Sequence, residues 1–289
     1  MGKVVTVMNM KGGVGKTTVA IHLGGALGKY KWAKETRGRS VLLIDYDPQF
    51  NLSQAYISAK NYFSLESNKK TILSVLQEPL TALDPYKLQV PGTSTPPSVN
   101  DLAVGIGGYV DVVPSTLDLM YVALGRSDVS VKVIEARFEK FMQECREEYD
   151  LVIIDCHPAG SLMTKTALLN SDHVLIPVVP ERYAVRGIGL MLDFMGSKQQ
   201  GKTGPTPHIL FNKAPRVGQS PQEIEIRASK TYSNLCLVNT MKKYKAYSDP
   251  EEGKNFIWTS GKAYSTEARQ NLWSISLEFA KRIGVYYGP

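Results

Sequence analysis

Short apolar segments alternate with longer amphipathic ones along the 289-residue chain. Six apolar, largely β-branched runs predict buried strands. These runs are residues 3–8, 41–45, 111–114, 151–155, 174–179 and 208–212. Apolar residues at helical spacing predict helices over residues 18–27, 131–148 and 268–283. Because apolar strands that alternate with helices indicate a parallel sheet covered on both faces, we expect a doubly wound α/β fold forming a single domain over residues 1–289.

Two of the predicted helices carry apolar stripes. The helix over 131–148 has its stripe at Ile134, Phe138 and Phe141. The last helix has its stripe at Leu272, Ile275, Phe279 and Ile283. This last stripe suits either packing onto the body or an amphipathic membrane helix. Glu278 interrupts the basic face that a membrane helix needs, so we expect packing onto the body.

Composition narrows the class of protein. Apolar residues make up 43% and charged residues 21%, which is ordinary for a soluble globular protein. No apolar stretch approaches the roughly 18–20 residues of a membrane span, and Lys3 is followed by a short strand rather than by a signal peptide's apolar core. We expect a cytoplasmic protein without a membrane partner. The cysteines, Cys145, Cys156 and Cys236, are far apart, so neither a disulfide framework nor a zinc site is expected.

The net charge of +7 is concentrated near one end of the chain. Residues 201–289 hold 13 Lys or Arg against 7 Asp or Glu, an excess of six positive charges. This basic C-terminal part is either a solubility feature or the sign of a polyanionic partner.

The glycine-rich stretch MNMKGGVGKTTVA, residues 8–20, joins the first predicted strand to the first predicted helix. The common phosphate-loop pattern G-x-x-x-x-G-K-[ST] would place a glycine where this chain has Met10. Gly12, Gly13 and Gly15 still allow the backbone amides to turn toward a phosphate. Lys16 adds a charge near the phosphates, and the Thr17 hydroxyl can bind Mg²⁺.

Acidic residues follow two of the predicted strands. Asp45 and Asp47 lie at the end of VLLID, and Asp155 ends LVIID. A lone aspartate there would suit a turn or a helix cap equally well. Three of them at the carboxyl ends of parallel strands, beside a phosphate loop, favour a nucleotide site with a metal ion.

The segments KGGVGKTT, DYDPQFN, LVIIDCHP and VLIPVVPERYAVRG, in that order, resemble the ParA/MinD class of P-loop ATPases and its Soj-like partition proteins. The resemblance runs from about residue 2 to 215. It implies a SIMIBI-type P-loop fold, a homodimer in the ATP-bound state, ATP and Mg²⁺ as cofactors, and slow hydrolysis to ADP and phosphate. The chain lacks the cysteine pattern of the iron–sulfur carriers, the basic tail of MinD and a helix-turn-helix before the loop, so site-specific operator binding is not expected.

The resemblance also assigns roles to individual residues. It gives nucleotide binding to Gly12, Gly13, Val14, Gly15, Lys16, Thr17, Thr18 and, against the adenine, Asn212. It gives the metal and its water shell to Thr17, Asp45 and Asp155. Lys11 matches the signature lysine that reaches the partner's nucleotide, and Asp47 the aspartate that orients the attacking water; with Lys16 these are the implied catalytic residues.

The chain departs from the family pattern in two places. His157 stands where the family usually has a proline, and it could be structural, tune hydrolysis or contact a partner. The segment around 61–108 matches the family poorly, and the resemblance does not imply what it contacts. This segment includes a predicted Pro-rich loop over residues 91–98.

Three functions remain open at this level. The favoured one is a partition ATPase that binds DNA without sequence preference, associates with the nucleoid, segregates plasmids or chromosomes and is stimulated by a ParB-like adaptor. Candidate DNA contacts are Arg216, Arg227, Lys230, Lys242, Lys243 and Lys245. The alternatives are a ParA-like positioning ATPase with a non-DNA cargo, and a metabolic P-loop enzyme of the dethiobiotin-synthetase type.

Overall fold

The computed structural model describes residues 1–29, 40–78, 92, 95–122, 128–157, 161–198, 204–248 and 250–286. Within these residues a single sheet contains eight strands, in the order β3-β4-β2-β5-β1-β6-β7-β8. The strands are β1 Lys3–Val7, β2 Val41–Tyr46, β3 Val104–Gly105, β4 Val110–Val113, β5 Leu151–Cys156, β6 His173–Val178, β7 Thr206–Ala214 and β8 Met241–Lys242. All neighbouring strands run parallel except the β3–β4 pair.

The α-helices are α1 Lys16–Lys29, α2 Asn51–Tyr56, α3 Ala59–Ser67, α4 Leu73–Leu76, α5 Val99–Leu102, α6 Leu119–Val122, α7 Asp128–Glu148, α8 Leu162–Leu169, α9 Ala184–Lys198, α10 Pro221–Ala228 and α11 Ser265–Arg282. Short 3₁₀ turns lie at Ser233–Leu235 and Lys245–Ser248. The predicted doubly wound, mainly parallel α/β fold is confirmed.

Two hydrophobic cores lie on opposite faces of the sheet. In β2, Leu42 and Ile44 enter one core while Val41 and Leu43 enter the other, as the two-residue repeat of a strand requires. The first core is closed chiefly by α7, α8 and α9, and the second by α1, α2 and α11. Burial on both faces explains why the strands are apolar at nearly every position.

All six predicted strands and the three predicted helices are present, with ends shifted by at most three residues. The α7 stripe is buried in the first core and the α11 stripe in the second, so the prediction that the last helix packs onto the body is confirmed. Sequence reasoning did not find β3 and β8, because two residues are too few to show a periodic pattern.

The poorly matched segment around 61–108 contributes most of α3, all of α4 and α5, and β3. Residues 79–91, 93 and 94 lie outside the described residues, so the predicted loop over 91–98 is described only at residues 92 and 95–98, which form neither helix nor strand. In the described part of the chain, no helix is both long and apolar enough to cross a membrane.

The sheet order positions the site. The strands β2 to β5 lie on one side of β1, and β6 to β8 lie on its other side. The direction of winding therefore reverses at β1. In open α/β sheets such a switch point leaves a crevice at the carboxyl ends of the strands. The glycine-rich loop follows β1 and therefore lies at this crevice.

Candidate active site

The loop between β1 and α1 has the backbone of a phosphate cradle. Gly13 and Gly15 adopt left-handed conformations, with φ of 72° and 84°. A Cβ on Gly15 would lie 2.4 Å from the Asn212 side-chain nitrogen, so that position admits only glycine. Met10, which replaces the first glycine of the common pattern, instead packs against the first core. The unpaired N–H groups at the start of α1 then face the crevice, as an anion site requires.

Lys16, the first residue of α1, is buried at the carboxyl edge of the sheet. Burial lowers the pKa of its ammonium group, and the carboxylates of Asp155 and Asp47 partly offset that effect. A desolvated ammonium beside the helix N-terminus is suited to bind a phosphate oxygen, because the anion would restore the stabilisation that burial removes.

Lys11 differs from Lys16 in its surroundings. Its side chain is 55% exposed, and its Nζ lies 2.8 Å from Oε2 of Glu181, whose side chain is 62% exposed. The hydrogen bond from Lys11 and its charge lower the pKa of Glu181. The loop therefore carries one lysine within the crevice and a second at the surface, held by a residue that follows β6.

Asp155 and Asp45 are paired across the β5–β2 ladder, where their Cα atoms are in register. Asp155 is 1% exposed, and neither of its carboxylate oxygens has a hydrogen-bond partner among the described residues. Burial, reinforced by the Asp45 charge, raises its pKa well above the usual range, although the nearby Thr17 hydroxyl acts in the opposite sense. A buried carboxylate with two unused oxygens beside a hydroxyl fits a hydrated cation.

Asp45 is already engaged by the protein. Its Oδ2 accepts hydrogen bonds from the Ser53 backbone N–H at 2.8 Å and from the Ser53 hydroxyl at 2.7 Å. Burial raises its pKa to about 7. Within the described ranges, no three His, Cys, Asp or Glu side chains are grouped to hold a metal alone. A Mg²⁺ ion at Thr17 and Asp155 would therefore take its other ligands from water and from a nucleotide.

Asp47 lies in a turn that is fixed from several sides. Its Oδ1 accepts a hydrogen bond from the Gln49 N–H at 2.9 Å, and its carbonyl accepts one from the Ser115 hydroxyl at 2.7 Å. The Ser115 N–H in turn donates to the Ser53 hydroxyl, which bonds Asp45. Asp45, near the end of β2, and Asp47, directly after it, therefore belong to one hydrogen-bonded unit, which the loop after β4 helps to hold.

The poorly matched segment packs against this same unit. Tyr62 of α3 stacks on Phe50, which directly precedes α2, with ring centroids 5.0 Å apart and planes 11° apart. The Tyr62 hydroxyl donates to the Ser115 carbonyl, and Glu66 accepts a hydrogen bond from Thr116 at 2.7 Å. The segment that family resemblance could not interpret is thus in physical contact with the Asp47 turn.

His157, the other departure from the family pattern, is half-buried directly after β5.

The end of β7 supplies two residues to the loop. Asn212 is buried, and its Nδ2 donates to the Val14 carbonyl at 2.8 Å, while its Oδ1 accepts from the Lys213 N–H. With its amide used in this way, Asn212 holds the loop in this structure, whereas the resemblance had implied contact with adenine. Lys213, which sequence reasoning missed, donates from Nζ to the Gly13 carbonyl at 2.8 Å. Its only sequence signal is its place directly after a strand.

The predicted DNA-contact residues divide into two groups. Arg216, Lys230, Lys243 and Lys245 are exposed, and Lys242 is half-buried with its Nζ bonded to the Arg216 carbonyl. Arg227 differs from these residues in its contacts. Its guanidinium donates to Glu223 and to the Leu237 and Val238 carbonyls, and it lies 4.8 Å from the Phe211 ring centre. These internal contacts hold Arg227 in the fold, and its contact with DNA stays a prediction.

Comparisons with known proteins agree with this geometry. A family model described as an AAA domain (AAA_31) matches residues 2–203. The sporulation initiation inhibitor protein Soj of Bacillus subtilis is 32% identical over 195 residues, which cover 67% of this chain and 64% of Soj. An uncharacterised protein of Methanocaldococcus jannaschii is 27% identical over 241 residues, covering 82% of this chain and 83% of that protein.

One solved structure extends the likeness over almost the whole chain. It is a putative plasmid partition protein of Borrelia burgdorferi B31 bound to AMPPNP, with a TM-score of 0.71 and 21% identity. The alignment covers 96% of this chain and all of the other. At that identity the likeness shows a shared fold, and the shared crevice at the carboxyl edge is where this fold places its ligands.

Proposed function

The chain belongs to the ParA/Soj-like P-loop ATPases, and we propose that it is a partition ATPase. In this proposal ATP and Mg²⁺ drive formation of a homodimer, the dimer binds DNA without sequence preference, and hydrolysis releases it. A ParB-like adaptor stimulates hydrolysis, and the cycle segregates a plasmid or chromosome in the cytoplasm at the nucleoid. Soj and the Borrelia partition protein support this proposal by likeness.

The crevice supplies the groups that hydrolysis needs. Lys16 and the loop amides would hold the phosphates, Thr18 would support them, and the Thr17 hydroxyl with Asp155 would hold Mg²⁺ and its water shell. Bound Mg²⁺ supplies positive charge that stabilises the developing charge on the phosphate oxygens. Asp47, fixed at the end of β2, would orient the attacking water, and Asp45 would hold that turn in place.

The observation that carries the dimer proposal is the position of Lys11. Its ammonium group lies at the surface, against exposed Glu181, whereas Lys16 is buried in the chain's own crevice. A lysine at the rim of the cradle is placed to reach a nucleotide in a second subunit. If Lys11 contacts the γ-phosphate of the partner's ATP, dimerisation would depend on that phosphate, because ADP lacks it.

The test replaces Lys11 and follows assembly and binding separately. Lys11→Ala should bind ADP with near wild-type affinity but lose ATP-dependent dimerisation by size-exclusion chromatography with light scattering, and lose most of its ATPase activity. Lys16→Ala is the control, because it should lose nucleotide binding itself. A Lys11→Ala protein that dimerises and hydrolyses ATP normally would show that Lys11 has no role in the partner's site.

The DNA part of the proposal relies on the exposed basic residues around β8. Arg216, Lys243 and Lys245 are exposed at this end of the chain, close to the end of β7 that holds the loop. A dimer would present two such surfaces and multiply the phosphate contacts. Binding should therefore fall steeply with salt, and ATP should strengthen it while ADP should not. Equal retention of DNA with ADP across a salt titration would contradict the switch.

A further inference from the structure

Two carbonyl groups of the phosphate loop are held from outside by the end of β7. The Gly13 carbonyl accepts a hydrogen bond from Lys213 Nζ, and the Val14 carbonyl accepts one from Asn212 Nδ2, both at 2.8 Å. The two donors are neighbours in sequence, and they lie about 200 residues from Gly13 and Val14, which they hold. We call this pair, Asn212 and Lys213, the outer clamp.

The outer clamp determines which way the loop's amides point. In a planar trans peptide, the C=O of one residue and the N–H of the next point in opposite directions. If the Gly13 and Val14 carbonyls are drawn outward to the clamp, the N–H groups of Val14 and Gly15 must point inward. Successive inward N–H groups form the kind of backbone nest that binds phosphate. The clamp thus acts on the phosphate site although its side chains lie on the outer side of the loop.

The local backbone at the clamp is itself unusual. Lys213 has a left-handed conformation with φ of 53°, which non-glycine residues adopt rarely. The Asn212 side chain accepts a hydrogen bond from the Lys213 N–H, and the β7–β8 pairing is irregular between Asn212 and Ala214. Irregularities of this kind re-aim side chains near functional sites. Here the irregular pairing and the left-handed backbone of Lys213 direct its side chain toward the Gly13 carbonyl.

We propose that Lys213 is a positioning residue of the nucleotide site. Through the Gly13 carbonyl it presets the Val14 amide for the phosphates of a nucleoside di- or triphosphate. The inference rests on the proposed nucleotide-binding function and adds a residue to which neither the sequence motifs nor the family resemblance gives a role. It requires that Lys213 affect ADP and ATP alike, because its target is the loop and not the γ-phosphate.

The test compares substitutions that separate the ammonium group from the backbone. Lys213→Asn keeps a residue that tolerates a left-handed backbone but cannot reach Gly13, whereas Lys213→Arg keeps a long cationic donor. Lys69→Asn is the matched control, because Lys69 is also an exposed lysine with a left-handed backbone, at the end of α3 and away from the loop. Affinity for ADP and for a non-hydrolysable ATP analogue is measured by titration calorimetry.

We expect Lys213→Asn to weaken both nucleotides about tenfold, Lys213→Arg to recover most of that loss, and Lys69→Asn to have no effect. The difference should persist at about 0.5 M salt, because screening removes a long-range charge effect but not a change in amide direction. The amide resonances of Val14 and Gly15 give a direct readout, since ADP should shift them strongly in the wild type and weakly in Lys213→Asn. The melting temperature without nucleotide should stay close to the wild-type value.

Different results overturn different claims. Wild-type affinity in Lys213→Asn, or an equal loss in Lys69→Asn, would overturn the role of Lys213 and leave the proposed function intact. A loss in Lys213→Asn that disappears at high salt would assign the effect to charge alone and likewise overturn the positioning role. A wild-type chain that binds neither nucleotide would overturn the proposed function, and the inference with it.

Discussion

The amino edge of the sheet, where the parallel strands begin, and the carboxyl edge, where they end, treat charged groups differently: Asp172 at the amino edge is half-buried, whereas Asp155 at the carboxyl edge is 1% exposed. At the amino edge, Asp172 accepts hydrogen bonds from Arg146 at 2.6 Å and from the Val4 N–H at 2.8 Å, and Arg146 also donates to the Asn170 carbonyl. At the carboxyl edge, Asp155 has two buried oxygens without a partner among the described residues. Burial there shifts the pKa of Asp155 upward and that of Lys16 downward.

The difference separates residues that stabilise the fold from residues that await a ligand. A buried charge with several hydrogen bonds supports the structure, and removing its partner is strongly destabilising. A buried charge without such bonds lowers stability, and a protein retains it where a bound ion or phosphate will compensate. The charged groups at the amino edge of this sheet therefore stabilise the fold, whereas those at the carboxyl edge are placed to bind a ligand. Substitutions at the two edges should accordingly have opposite effects on stability.

The largest effect on stability is expected from Asp172→Ala. It removes the carboxylate that accepts from Arg146 and from the buried Val4 N–H, while Arg146 keeps the Gly2 and Asn170 carbonyls as acceptors, so the free energy of unfolding should fall by about 2–3 kcal/mol. Nucleotide affinity should not change, since Asp172 lies at the opposite edge of the sheet from the loop. Urea unfolding and ADP titration measure the two quantities. Asp172→Asn, which still accepts from Val4, should lose less, and a larger loss in Asn than in Ala would contradict this account.

The same residue predicts how that loss depends on pH. Burial acts to raise the pKa of Asp172, but the hydrogen bonds from Arg146 and Val4 and the Arg146 charge outweigh it and hold the pKa below its usual value. A carboxyl with a lowered folded-state pKa stabilises the fold above its unfolded-state pKa and loses that contribution as the pH falls. The difference in the free energy of unfolding between wild type and Asp172→Ala should therefore become smaller as the pH falls below the unfolded-state pKa of about 4.

A smaller effect of opposite sign is expected from Asp155→Asn. The raised pKa means that the folded protein holds this proton more tightly than the unfolded chain does, so stability falls as the pH rises above the unfolded-state value of about 4. A neutral amide removes that penalty, and the nucleotide-free protein should gain about 1–2 kcal/mol at neutral pH. Chemical denaturation of wild type and variant without nucleotide measures the gain.

The functional cost of Asp155→Asn should appear in the same protein. If Asp155 holds the water shell of Mg²⁺, the variant should lose most of the dependence of nucleotide affinity on Mg²⁺. Thr17→Ala is a useful companion, since it removes the other metal-side group and leaves the Asp155 carboxylate in place. An Asp155→Asn protein that is less stable than wild type and retains full Mg²⁺ dependence would remove the contrast between the two edges.

The sequence predicts most of the fold because the strands are buried on both faces. Runs such as 151–154 and 174–179 are apolar without interruption, as strands covered on both faces require. The loop and its three aspartates are predictable for a related reason: each residue lies directly beside a strand end, so a local motif specifies its place. Among the strands, sequence reasoning missed only β3 and β8 of those described, because a pairing of two residues at the outer strands of the sheet leaves no local pattern.

Two basic residues have roles that depend on contacts between distant parts of the chain. Lys213 belongs to the loop only because an irregularity near the end of β7 directs its side chain to Gly13. Arg227 looked like a surface cation in the sequence, yet the fold brings the Leu237 and Val238 carbonyls to it. Charge and composition carry no information about such partners, so a basic residue's role has to be read from its contacts.

The smallest expected effect on stability concerns two histidines at the amino edge, whose surroundings favour the neutral form of His208. His208 and His173 share a hydrogen bond of 3.1 Å, and burial, followed by His173 and Arg282, lowers the pKa of His208 to about 4. Between about pH 6.5 and 4 the unfolded chain therefore binds this proton first, so the stability that His208 contributes should fall as the pH falls. Relative to His208→Gln, which does not titrate, the free energy of unfolding of wild type should fall by about 1 kcal/mol between roughly pH 7.5 and 5.8. Urea unfolding of both proteins at the two pH values measures this, and parallel pH profiles would show that the histidine pair has no such preference.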